Sequence, residues 1–180
     1  MTIHSLSKTS KSIFGLFVFC FSIFAYHPTF AKDPVYPKNI IILFADGTTS
    51  SQYDFGRYSS NLLRNKSFAV TDVVMAQGHF QLMRTESANY YVTDSAAAAS
   101  AMSTGYKVNN GVISITPDGK LPPTLLQVAK ESGKKIGLIS TAPVYDASPA
   151  AFSVHAKSRR DNESIVNQYL ELMPDVLMGG

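Results

Sequence analysis

Four short stretches of this 180-residue sequence carry side chains that do chemistry, at points where a fold tends to use them. Asp46 follows an apolar run and precedes Gly47, a carboxylate placed to hold a cation. Thr93-Asp94-Ser95 stands immediately before an alanine run, which puts a hydroxyl and a carboxylate at a helix start. Asp146 and Ser148 follow another apolar run, and Arg159 closes a basic patch with Lys157 and Arg160. Each stretch also has a plainer reading. Asp-Gly after a strand is commonly a turn, and Asp94 or Ser95 before an alanine run is an N-cap. Asp146 and Ser148 read as a loop turn and a helix cap, and the basic patch as a solvated face. His155, at helical spacing from Phe152 and Ala151, reads as a structural histidine.

The elements between these stretches alternate strand and helix. Asn39 to Ala45 is continuous and apolar, as in a strand buried on both faces of a parallel sheet. Val70 to Met83 reads as a second extended stretch broken at Gly78. The alanine-dense segment Ala96 to Met102 predicts a helix beginning at Asp94 or Ser95 and stopping at Gly105. Val112 to Ile115 alternates like a short strand after the turn Asn109-Asn110-Gly111. Pro122, Pro123 and Thr124 open a helix that Gly133 closes, and Lys135 to Ser140 is another buried strand. Pro149 to Ala156 is helix-compatible, Asp161 or Asn162 caps a further helix ended by Pro174, and Val176 to Met178 begins a last strand. This order predicts an α/β fold, a doubly wound, mostly parallel sheet with helices on both faces, incomplete at the C-terminus. In such folds ligands gather at the carboxyl ends of strands. Asp46, Ser95 and Asp146 are thereby expected in one crevice.

Residues 1–31 read as an export signal. A basic start, a 14-residue apolar run from Ile13 to Tyr26 and the small-x-small site Thr29-Phe30-Ala31 occur in the required order. The run is too short for a stable membrane span, which needs about 20 residues. Cleavage after Ala31 removes Lys8 and Lys11, taking the net charge from +3 to +1, so the balance gives no reason to expect nucleic acid as a partner. It also removes Cys20, the single cysteine, and with it any disulfide or thiol chemistry.

The ordered blocks at 39–47 (NIIILFADG), 92–105 (VTDSAAAASAMSTG), 109–111 (NNG) and 146–159 (DASPAAFSVHAKSR) together resemble the alkaline phosphatases. The resemblance covers nearly all of residues 32–180, as the N-terminal part of a catalytic domain of that kind. It implies hydrolysis of phosphate monoesters to alcohol and inorganic phosphate, with Ser95 as the nucleophile that becomes phosphoserine. It also implies two zinc ions and one magnesium per active site. Asp46 is implied as a metal ligand bridging zinc and magnesium, Asp146 and Ser148 as magnesium-site groups, and Arg159 as the substrate clamp. A periplasmic or secreted location and a homodimeric complete enzyme are implied as well.

Two departures are small. Ala45-Asp46-Gly47-Thr48 stands where the family usually has Gly-Asp-Gly-Met, and Ser148 keeps the hydroxyl of a more usual threonine. A third is large, because the family's remaining zinc ligands are absent. After residue 31 only His79 and His155 occur as histidines. A zinc site needs three or four ligands, so this chain alone is expected to be inactive. The alternative is a non-catalytic secreted remnant that binds phosphate or a partner chain. No Cys-x-Pro-x-Arg signature is present, which argues against a sulfatase.

Overall fold

The computed structural model describes residues 37–79 and 81–180. The expected signal and Cys20 lie outside them. The chain divides into two units, one ending at Leu43 and one running from Phe44 to Gly180.

Of the first unit, 37–43 has no regular secondary structure and is solvent-facing, with Ile41 85% and Leu43 92% exposed. The expected strand over 39–45, buried on both faces, is therefore corrected. An apolar run becomes a buried strand only where neighbouring strands complete its ladder, and no described residue pairs with this one.

The second unit starts with helix α1 (Ser50–Arg64), capped by the Thr49 amide donating to Gln52 Oε1 at 2.6 Å and ended at Asn65 in the left-handed region, φ 49°. Sequence reasoning placed no element here. The extended stretch expected from Val70 is also corrected. Val70–Val74 forms a π-helical turn that runs into the three-residue helix α2 (Met75–Gln77). Asp72 accepts a hydrogen bond from the Phe68 amide at 2.8 Å, and this local closure overrides the β-propensity of the valines. A Cβ at Gly78 would lie 2.7 Å from the Val74 carbonyl, so the stop requires glycine.

Downstream the expected elements appear. Helix α3 (Ser95–Thr104) has Asp94 as its N-cap and ends at Gly105, φ 79°. Helix α4 (Leu125–Glu131) is capped by Thr124 and followed by Gly133, φ 72°. Strand β1 (Gly137–Ile139), helices α5 (Ala147–Ala151) and α6 (Asn162–Leu172), and strand β2 (Val176–Met178) make a β-α-β crossover. The strands pair in parallel, Gly137 with Val176, Leu138 with Leu177 and Ile139 with Met178. The architecture is α/β with a small parallel sheet.

Strand β1 is shorter than the expected Lys135 to Ser140, and α5 begins at Ala147 rather than at the expected Pro149. Helix α5 stops at Ala151, because Ala156 is drawn into an antiparallel bridge with Ile113. That bridge is also all that forms of the strand expected over Val112 to Ile115. Its two backbone bonds, 2.9 and 3.0 Å, demand an extended Ala156 that a continuing helix would forbid.

The core lies where α3 meets α5. Ala96, Ala99, Ala147, Ala150 and Ala151 are fully buried and join Ile113, Val154 and Ile165. Methyl-sized side chains let the two helices approach closely, so their N-termini are held by backbone packing. Buried Ser114 sits at their junction with φ 52°, its amide donating to Ser100 Oγ at 2.8 Å and its hydroxyl to the Ala151 carbonyl at 2.8 Å.

Candidate functional site

Three loops converge at the N-terminal ends of α3 and α5. The first carries Asp46. It turns at Gly47, φ 67°, with the Thr48 amide donating to the Ala45 carbonyl. Phe44 anchors it by packing edge-on against Phe152, with ring centroids 6.0 Å apart. The second loop ends in Asp94 and Ser95, the third in Asp146.

Asp46 collects two hydroxyls. Ser95 Oγ donates to its Oδ1 at 3.0 Å and Ser148 Oγ to its Oδ2 at 2.8 Å. Residues 49 and 102 positions apart in sequence thus meet on one carboxylate. Ser95 is the first residue of a ten-residue helix whose unpaired amides and dipole favour an anion at that end.

Arg159 joins the other two carboxylates. Its Nη1 donates to Asp94 Oδ2 at 3.2 Å and its Nη2 to Asp146 Oδ1 at 3.1 Å. Burial pulls the half-buried guanidinium down, but its bonds to Asp146 and Asp94 outweigh that effect and raise it above its ordinary value. Arg159 is thereby held charged with its fork fixed. Asp94 keeps the capping role expected of it, whereas at the third loop the cap is Asp146, read from the sequence as a loop turn, and Ser148, read as the cap, lies inside α5. Asp94 Oδ1 accepts from the Ala97 amide at 2.9 Å, and Asp146 Oδ1 from the Ala147 amide at 2.7 Å.

The five expected site residues thus fall into two linked sets, Ser95 and Ser148 on Asp46, and Arg159 across Asp94 and Asp146. Sequence reasoning missed Asp94 as an Arg159 partner, seeing in it only a cap. Its position directly before Ser95 carried no further signal. The remaining histidine near the site, His155, has its Nε2 2.8 Å from the Pro122 carbonyl, a structural tie as expected.

As a cation site, Asp46 and Ser148 offer hard oxygens, and Asp46 makes no ion pair among the described residues. That donor chemistry fits magnesium, which takes one or two carboxylates and keeps its waters. It does not fit zinc. Among the described residues no three His, Cys, Asp or Glu side chains cluster to hold a metal, and zinc requires three or four ligands.

The sequence profile of the family described as Alkaline phosphatase matches residues 37–180. Alkaline phosphatase 3 of Bacillus subtilis is 37% identical over 149 residues, covering 79% of this chain and 32% of that protein. The crystal structure of Thermus thermophilus alkaline phosphatase superposes with a TM-score of 0.69 at 33% identity, covering 72% of this chain and 27% of that one. A mutant alkaline phosphatase of the Antarctic bacterium TAB5, solved with Mg bound in its M3 site, gives 0.58 at 28% identity over 68% of this chain and 35% of that one. The chain spans about a third of the length of the curated relatives it matches. With its site geometry and a match over that whole span, the chain belongs to the alkaline phosphatase family.

Proposed function

We propose that this chain carries the phosphoryl-accepting part of a phosphate monoesterase, with Ser95 as nucleophile. The observation that supports this most is the junction at Asp46, which orients the Ser95 hydroxyl at the open N-terminus of α3. A monoester phosphate seated there meets the helix amides on one side and Arg159 on the other. Each terminal nitrogen of the guanidinium retains a second N–H beyond its carboxylate bond, enough for two phosphate oxygens. Ser95 Oγ gives up its proton and forms a bond to phosphorus, the ester P–O bond breaks, and the departing alkoxide takes up one proton in balance to leave as alcohol. Water then displaces Oγ from phosphorus, returning free serine and inorganic phosphate.

A serine hydroxyl is a weak nucleophile and needs activation. Metal ions, when bound, supply it by lowering the pKa of the hydroxyl or of water. Asp46 and Ser148, with Asp146 directly or through water, are assigned to magnesium. Zinc remains an expectation of the family resemblance, and no step here depends on it. Because the chain supplies no zinc set of its own, we assign it no turnover in isolation. Export to the periplasm or beyond, and a homodimer for the complete enzyme, belong to the same reading. No helix among the described residues is long and apolar enough to cross a membrane.

The purified chain, given zinc, magnesium and a chromogenic phosphate ester, is expected to show no turnover but to bind inorganic phosphate in calorimetry. Arg159→Ala is expected to weaken that binding about tenfold or more. Turnover that Ser95→Ala abolishes would overturn the assignment of inactivity. An absence of phosphate binding would remove the phosphoryl-accepting role. The second reading, a phosphate-binding remnant, is favoured by the lack, among the described residues, of three His, Cys, Asp or Glu side chains clustered to hold a metal, and it holds if a longer chain carrying these residues also binds phosphate without turning it over.

A further inference from the structure

The turn Asn109-Asn110-Gly111 lies outside the catalytic roles assigned above, yet four of its hydrogen bonds lead to Val92, Asp94 and Arg159. The Asn110 carboxamide spans the loop that delivers Ser95. Its Nδ2 donates to the Val92 carbonyl at 2.9 Å, and its Oδ1 accepts from the Asp94 amide at 3.1 Å. One side chain thus holds both ends of the Val92 to Asp94 stretch. Its own amide donates to Asn89 Oδ1 at 2.9 Å, which fixes where the carboxamide sits.

Gly111 extends the tether to the other set of site residues. Its amide donates to Asp94 Oδ2 at 3.0 Å, the oxygen that also accepts from Arg159 Nη1, and its carbonyl accepts from the Arg159 amide at 2.7 Å. Gly111 adopts φ 79° with open space around its α-carbon, so backbone conformation, not crowding, is what asks for glycine here. The Arg159 backbone is therefore referred to Asp94 through this turn, and its side chain meets the same carboxylate directly.

We propose that Asn110 is a positioning residue for the Ser95 and Arg159 pair: its carboxamide fixes Val92 to Asp94, and Gly111 carries that placement to Arg159. The alternative of a simple surface turn does not account for a carboxamide that pairs with both groups it faces across the same loop. The tether stands on the hydrogen bonds alone. Its consequence for phosphate rests on the phosphoryl-accepting role proposed above.

The test is amide hydrogen exchange, residue by residue, on the full 180-residue chain, with calorimetric titration of inorganic phosphate beside it. In Asn110→Ala, exchange at the Asp94 amide is expected to quicken about tenfold or more, while α6 amides such as Ile165 and Tyr169 keep their wild-type rates. Asn110→Asp, which keeps an acceptor for that amide but loses the donor to Val92, is expected to quicken it less. Phosphate binding is expected to weaken about tenfold in Asn110→Ala and to show no further loss when Asn110→Ala is added to Arg159→Ala. Unchanged Asp94 exchange overturns the proposal, and so does faster exchange spread evenly through α6, which would make Asn110 a general stabiliser. Equal weakening in both Arg159 backgrounds also overturns it. If the wild-type chain binds no phosphate, the phosphoryl-accepting role fails and the exchange rates still decide the tether.

Discussion

Two regions of the second unit are built on opposite principles. Between α3 and α5 the side chains are mostly alanine and serine, all contact is close, and the site residues project from the ends of the packed helices. From α1 through α2 large apolar side chains are interspersed with polar ones, and none is buried. Phe55 is 74% exposed and Leu62 82%. The first region places hydroxyls and carboxylates to within hydrogen-bond distance because methyl groups leave its backbones no slack. The second leaves large apolar side chains in solvent, where they contribute little, since apolar area stabilises only when it leaves water. Rigidity at this site follows from contact, not from hydrophobicity.

The contrast breaks most sharply at a single alanine. Ala99→Leu forces three extra carbons into the α3 and α5 contact and is expected to cost about 3 kcal/mol, at the upper end for overpacking. Leu62→Ala on α1 removes as many carbons and is expected to change stability by less than about 0.5 kcal/mol, because the side chain is already in water. Urea unfolding of both variants measures the difference, and equal losses would mean that α1 is as well packed as α3. Next in size is Ser114→Ala. It strips the Ala151 carbonyl of the buried 2.8 Å hydrogen bond and is expected to cost about 2 kcal/mol in the same unfolding experiment.

The same contrast explains what the sequence makes legible. Ser95, Asp146 and Ser148 stand at helix starts and Asp46 and Arg159 in turns, where local signals such as caps, glycines and alanine runs are strong. The convergence of Ser95 and Ser148 on Asp46 is long-range and follows only from the packed helices. In the outer region local signals mislead. Ile40 to Ala45 has the composition of a buried strand, but burial is supplied by neighbours that a run of isoleucines cannot specify. Val70 to Val74 has β-branched composition, but Asp72 closes a helical turn that propensity does not foresee. The zinc expectation rests on family likeness, which implies Asp46 as one ligand, and among the described residues no three His, Cys, Asp or Glu side chains cluster around it.

A smaller effect tests how far the tight packing extends into α6. Tyr169 is only 2% exposed and donates its hydroxyl to the Val144 carbonyl at 2.8 Å. Burial pushes its phenol up to about 12, against a weaker opposing pull from the Ser153 hydroxyl. The folded chain therefore holds this proton more tightly than the unfolded one. Its contribution is complete below pH 10 and declines as pH rises toward 12. The expected loss is about 1 kcal/mol at pH 11, seen as a fall in the urea midpoint. Tyr169→Phe is expected to flatten that alkaline limb, and an unchanged limb would show that the ring is wetter than its packing implies.

The smallest effect belongs to a surface loop that touches neither region. Asp118 accepts hydrogen bonds from Lys120 and from the Thr116 hydroxyl, and these hold its carboxyl down at about 2. A lowered carboxylate stabilises the fold above its unfolded value near 3.8, and that contribution fades as pH falls toward 2. Because the pair is fully exposed, salt screens it and side-chain entropy opposes it. Asp118→Asn is expected to leave the unfolding midpoint at pH 7 almost unchanged and to flatten only the limb between about pH 4 and 2. A midpoint loss at pH 7 comparable to that of Ser114→Ala would show that an exposed ion pair here matters as much as a buried hydrogen bond. The division between a packed, site-bearing region and a loosely held surface would then fail.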